Sequence, residues 1–93
     1  METEIKDEQF CPICGVEVEV ILRYPNYVCR RCAGKASSTD GRLLSFYNED
    51  FGGGFFAFYR GTGESYNSHT CFIEGVRCWA DEAHFGGIVI EKM

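Results

Sequence analysis

The sequence predicts a small β-rich single domain, β or α+β, with a cysteine-rich amino-terminal third packed on an antiparallel β-meander that carries one short helix. Three observations predict it. The chain has 93 residues, 45% hydrophobic and 15% aromatic, which is too apolar for disorder. A chain this short still buries only about 60–65% of the surface its unfolded form exposes, so the core is thin. Short apolar segments lie between Gly-, Pro- and Asp-bearing turn signals, the punctuation of strands. Two Cys-x-x-Cys pairs, Cys11/Cys14 and Cys29/Cys32, offer the staple that a thin core needs.

Residues 1–9 read as a flexible tail and 10–93 as the domain, divided into a cysteine-rich part, 10–35, and a β-rich part, 36–93. Val16 to Leu22 alternates valine with glutamate before ending in Ile21 and Leu22, the period-two pattern of a half-buried strand. Tyr24-Pro25-Asn26 reads as a turn, and Tyr27-Val28 returns the chain to the second cysteine pair. The order is therefore knuckle, hairpin, knuckle. Ser37 to Gly41 contains Asp-Gly, a strong hairpin signal. Leu43–Tyr47 and Phe55–Arg60 read as two strands, with Phe51-Gly-Gly-Gly-Phe55 linking them or bulging the second. Gly61-Thr62-Gly63 turns the chain, Tyr66–Ile73 forms a further strand, and Gly75 marks another turn. Trp79–Phe85 is the one plausible helix, stopped by Gly86-Gly87 in a C-cap role, and Ile88–Ile90 closes as a strand. There is no internal repeat and no low-complexity segment.

The acidic, polar start, Met1 to Gln9, is the opposite of a signal peptide, and no apolar run approaches the roughly 20 residues of a membrane-spanning helix. The expected setting is cytoplasmic and reducing, with no membrane partner. In such a compartment paired cysteines are metal ligands rather than disulfides. Four thiolates satisfy a tetrahedral Zn²⁺, and two cysteines separated by two residues turn both sulfurs toward one ion. Gly15 and Gly34 follow the pairs closely, where a knuckle turns sharply and a Cβ obstructs it. The expected ligands are Cys11, Cys14, Cys29 and Cys32 around one structural zinc; iron suits the same site, since sequence separates the two metals poorly.

Cys-Pro-Ile-Cys-Gly at 11–15 with Cys-Arg-Arg-Cys-Ala-Gly at 29–34 resembles the zinc-ribbon group of domains, over residues 10–35 only. The resemblance implies a local fold and a metal. It leaves function open, since ribbons serve transcription, translation, RNA processing and protein binding. A closed four-thiolate shell has no position for water, so the ion is a staple and not a catalyst. Structural zinc supplies roughly 10–16 kcal/mol of coupled binding and folding energy, against a net domain stability of about 5–15 kcal/mol.

His69, Cys71, Cys78 and His84 form a second cluster within sixteen residues. They read first as two small buried cysteines beside partly exposed histidines. Alternatives are a second metal site, a Cys71 nucleophile with His69 as base and Asp81 or Glu82 nearby, or a Cys71–Cys78 disulfide. None carries a CxxC or HxxxH spacing or an oxyanion-hole signature.

The formal charge is −5 and the pI about 4.9, a field that repels phosphate. Arg30, Arg31 and Lys35 lie at the second pair. They read as compensation for the −2 of a zinc tetrathiolate, or alternatively as a patch for nucleic acid. Eight aromatic residues between Phe46 and Tyr66 read as core, because residues 36–93 have eight acidic against four basic side chains and lack the cationic groove that base stacking needs. Gly52-Gly53-Gly54 lacks the Lys-Ser/Thr of a phosphate loop. The leading expectation is a non-catalytic zinc-binding domain whose partner is another protein.

Overall fold

The computed structural model describes residues 8–48, 54–84 and 86–93. Most of the expected tail, Phe51 to Gly53 of the glycine-rich link, and Phe85 of the expected helix lie outside the described residues. The elements are β1 (Gln9–Phe10), β2 (Glu17–Val18), α1 (Arg30–Ala33), β3 (Leu44–Asn48), β4 (Phe55–Tyr59), β5 (Thr70–Ile73), β6 (Val76–Glu82) and β7 (Ile88–Lys92). All pairing is antiparallel, in three small sheets: β1-β2, β3-β4 and β5-β6-β7. No helix among the described residues is long and apolar enough to cross a membrane.

Single residues join the sheets. Ser37 bridges Leu43 on one side and Phe72 on the other, exchanging both backbone bonds with Phe72 at 2.9 Å. The turn between Ser37 and Leu43 is the one that Asp40-Gly41 signals, with Gly41 at φ +84°. On the far edge, Tyr27 bridges Glu91, the Val28 N–H donates to the Ile90 carbonyl and the Lys92 N–H to Asn26. The result is a near-continuous ribbon running β4, β3, Ser37, β5, β6, β7 and the 26–28 segment.

The first arm of the cysteine-rich part departs from expectation. Only Glu17 and Val18 of the Val16–Leu22 segment are in a strand, and they pair with Gln9 and Phe10 rather than with the returning Tyr27-Val28. The returning arm satisfies its backbone on β7, because a full edge strand offers more bonds than a short isolated arm. The buried Gln9 fixes the loop between the arms: its amide nitrogen donates to the Tyr24 carbonyl at 2.8 Å and its amide oxygen accepts from the Ile21 N–H at 3.0 Å. Gln9, placed in the tail by sequence, is thus a clasp of the fold.

Of the helix expected at Trp79–Phe85, Trp79 to Glu82 instead form the end of strand β6, and Ala83 and His84 lie in neither helix nor strand. Cys78 and Ala80 are buried while Arg77 and Trp79 are exposed, the alternation of a sheet. A segment this short gains little as a lone helix, whereas β6 sits centrally and forms a ladder on both sides. Among the described residues the helix that does form is α1, which starts within the second cysteine pair and ends just past Cys32. The expected Tyr66–Ile73 strand splits: Tyr66 pairs with β4, its N–H donating to Ala57, and β5 starts only at Thr70.

Between β5 and β6, Glu74 and Gly75 both have positive φ, 49° and 80°, which gives the two-residue turn whose twist matches the strands. The core is made of small side chains: Cys11, Val28, Cys32, Ala36, Leu44, Cys71, Ile73, Cys78, Ala80 and Ile90. Two of the expected metal ligands therefore belong to the core itself.

Candidate metal centre

The structure brings Cys11, Cys14, Cys29 and Cys32 together, with their sulfurs all within 4.8 Å of one another. The first knuckle closes through the Gly15 N–H, which donates to the Cys11 carbonyl at 2.9 Å, and Gly15 takes φ +82°. That is the left-handed turn a Cβ resists. Gly34 differs from its expected role: its φ is −68°, open to any residue, and a Cβ there meets nothing nearer than 3.5 Å. The second knuckle turns by starting α1. Cys29 is the N-cap, and its sulfur accepts the Cys32 N–H at 3.5 Å.

A metal–sulfur distance of about 2.3 Å makes a tetrahedron with sulfur–sulfur edges of about 3.8 Å. Cys14 Sγ and Cys29 Sγ lie 3.7 Å apart, the separation such a cation imposes. Backbone N–H groups of Ile13, at 3.4 Å, and Cys29, at 3.3 Å, point at Cys11 Sγ and stabilise a thiolate there. Burial alone raises the Cys11 thiol, but the N–H donors of Cys14, Cys29 and Ile13 outweigh it and hold it at about 6. Cys32 is pushed the other way, first by burial and then by the sulfurs of Cys14, Cys29 and Cys11. Crowded thiols cannot all ionise alone. A divalent cation reverses that logic by neutralising the charge they share. The donor set, edge length and N–H support fit a four-thiolate zinc or iron ion. Cys11 and Cys32, 2% and 1% exposed, would form its inner wall, and Cys14 its solvent side.

Of the cations near this centre, Lys35 is taken by Glu74 at 2.8 Å, a pair that ties the end of the second knuckle to the β5–β6 turn. Arg30 and Arg31 are exposed on α1.

The second cluster does not converge. Among the described residues, the cysteine quartet is the one group of His, Cys, Asp and Glu whose ligand atoms gather. Cys71 and Cys78 are cross-strand partners, both fully buried and free. Burial, then Cys78, pushes the Cys71 thiol up to about 12, which leaves it protonated and inert as a nucleophile. Cys78 is raised by burial and then by the nearby Cys11 sulfur. His69 does not share the Cys71 surroundings, because the chain bends there before β5 begins. Its ring lies between Phe55, at 4.1 Å and 15°, and Trp79, at 4.7 Å and 8°. Its Nδ1 is 2.6 Å from the Ala80 carbonyl and 3.8 Å from Asp81. His84 is exposed, with its backbone N–H on the Tyr24 hydroxyl.

No family model matches the chain, and neither the curated proteins nor the solved structures offer a significant match. The geometry therefore carries the functional argument. Beyond the quartet, Gln9 escaped sequence reasoning, because an amide clasp leaves no periodicity or motif. The Phe55–His69–Trp79 stack escaped it too, although the Val-x-Cys-x-Ala alternation of 76–80 holds the signal that turns Trp79 outward.

Proposed function

We propose that this chain is a zinc-binding, ribbon-like domain in which the ion is structural and the work is contact with another protein in a reducing compartment. One observation carries the metal: four sulfurs within 4.8 Å, two of them walled into the core and supported by backbone N–H groups. A closed four-sulfur shell around zinc leaves no coordination position for substrate, which favours a staple over a catalyst. The acidic balance and the exposed Trp79, Tyr47 and Phe56 support protein rather than nucleic acid as the partner. The nucleic-acid reading through Arg30, Arg31 and Lys35 is weakened by the Lys35–Glu74 pair, which leaves Arg30 and Arg31 as the two without an ion pair among the described residues.

Elemental analysis of gently purified, reduced protein should give one zinc per chain. Capture from native cell extract should recover a stable protein partner, and titration with RNA or DNA at low salt should show no binding. Metal-free yet fully folded protein would sink the metal reading. Salt-sensitive nucleic-acid affinity lost in Arg30→Ala/Arg31→Ala would replace the protein partner with a phosphate backbone.

A further inference from the structure

We propose that the outer face of β6 and β7 around Trp79 docks a basic side chain, a lysine or arginine, of the partner protein. This deepens the protein-contact reading above and rests on it. Alternation along β6 turns Trp79 and Asp81 to one face, and the register of β7 places Glu91 directly opposite Trp79 and Val89 opposite Asp81. Trp79 is the sole tryptophan and is 43% exposed. One side of its indole is held by the His69 ring, itself backed by Phe55, so the platform is already ordered. Beside it opens a hollow of about 470 Å³, lined by Arg23, Tyr24, Asp81, Glu82, Val89 and Glu91.

The walls are fixed in advance. A Glu91 carboxylate oxygen accepts the Asn26 N–H at 3.3 Å, Asp81 accepts the Glu82 N–H at 2.8 Å, and the Tyr24 hydroxyl accepts the His84 N–H at 2.7 Å. Among the described residues these carboxylates form no ion pair with a lysine or arginine. The Lys and Arg ion pairs of the described residues are Lys35–Glu74 and Arg42–Glu64, both elsewhere; Asp81 has only the His69 contact at 3.8 Å. Three carboxylates against Arg23 leave the hollow at −2, in a chain of net −5.

An aromatic face beside fixed carboxylates is the chemistry that holds an ammonium or guanidinium group. An exposed, ordered tryptophan is also the side chain that anchors protein interfaces. A nucleic-acid backbone is repelled here, so charge complementarity selects a basic protein segment.

The test uses the zinc-loaded full chain and the emission of Trp79, with a capped peptide alternating glycine and lysine as probe at low ionic strength. The expected result is a saturable change, weakened about two- to fivefold by Glu91→Gln and by Asp81→Asn, the range for one exposed cation contact. Arg23→Gln, at an exposed residue with no ion partner among the described residues, should tighten binding by a similar factor, and physiological salt should weaken it. Calorimetry with Trp79→Ala, checked for retained zinc and fold, should show binding lost. An unmoved signal, an equal response to the glutamate version of the peptide, or indifference to Arg23→Gln overturns the assignment. Spermidine binding as tightly as the peptide overturns the protein partner in favour of a free polyamine. A captured partner whose retention ignores all these substitutions overturns this face and leaves the protein-contact reading standing.

Discussion

Cys29 serves two structural roles, and they separate by substitution. Its sulfur caps α1 and stands in the cysteine quartet. Serine keeps a capping oxygen but is a poor ligand in a thiolate shell, so Cys29→Ser isolates the metal term. That variant should lose its zinc and melt at least about 15 °C lower, the fall expected for 3 kcal/mol or more in a domain of this size. A melting curve and elemental analysis on the same sample check it. Gln9 is the quieter case. Its buried amide satisfies one carbonyl and one N–H of the loop that carries Tyr24. Gln9→Ala strips both partners and should cost about 1–3 kcal/mol, read as a lower denaturant midpoint with zinc content unchanged.

Among the elements, the hairpin turn and the knuckle helix make opposite demands on glycine. Gly75 has φ +80° with open space around it, so an added methyl meets strain and no clash. Gly75→Ala should destabilise by about 1–2 kcal/mol. Gly34 ends α1 at φ −68°, and there alanine should be neutral or stabilising by up to about 1 kcal/mol, because it narrows the unfolded chain's freedom. Chemical denaturation of the two variants side by side checks the sign. The β6 strand shows why local preference misled. Trp79-Ala-Asp-Glu-Ala favours neither state strongly, and pairing to β5 and β7 decided it. Where the signal was in the backbone itself, at Asp40-Gly41, Gly61-Thr62-Gly63 and Gly75, the turns are where the residues place them.

On the scale of the whole molecule, the segment leading into the second cysteine pair closes on the carboxy-terminal strand β7, beside the cysteine quartet. Val28, next to Cys29, donates to Ile90, and Lys92 donates to Asn26, so β7 holds the second arm of the knuckles. Cys11 and Cys32 pack in the same core as Cys71, Cys78 and Ile73. Removing the ion should therefore reach the far end of the sequence. Hydrogen exchange after chelation should speed at the amides of Val28 and Lys92 together, and rise in β7 before it rises in the β3–β4 hairpin. If protection at Lys92 survives while Val28 loses it, the two segments are uncoupled and the knuckles form a separate unit.

The cysteine quartet could be read before any fold was known, because Cys-x-x-Cys is a short-range pattern: the chain geometry of four residues suffices to aim two sulfurs at one point. The tight turns were readable for the same reason, since glycine conformation is local. The partner of each edge was not. The sequence pattern paired Tyr27-Val28 with Val16–Leu22, and only the competition for backbone bonds in three dimensions sent it to β7 instead. The surroundings of His69 and Trp79 arose in the same way. Their stack joins Phe55 of one sheet to Trp79 of another through the ring of His69, and although the alternation of 76–80 turns Trp79 outward, contacts between sheets leave no periodic trace of the partner along a sequence.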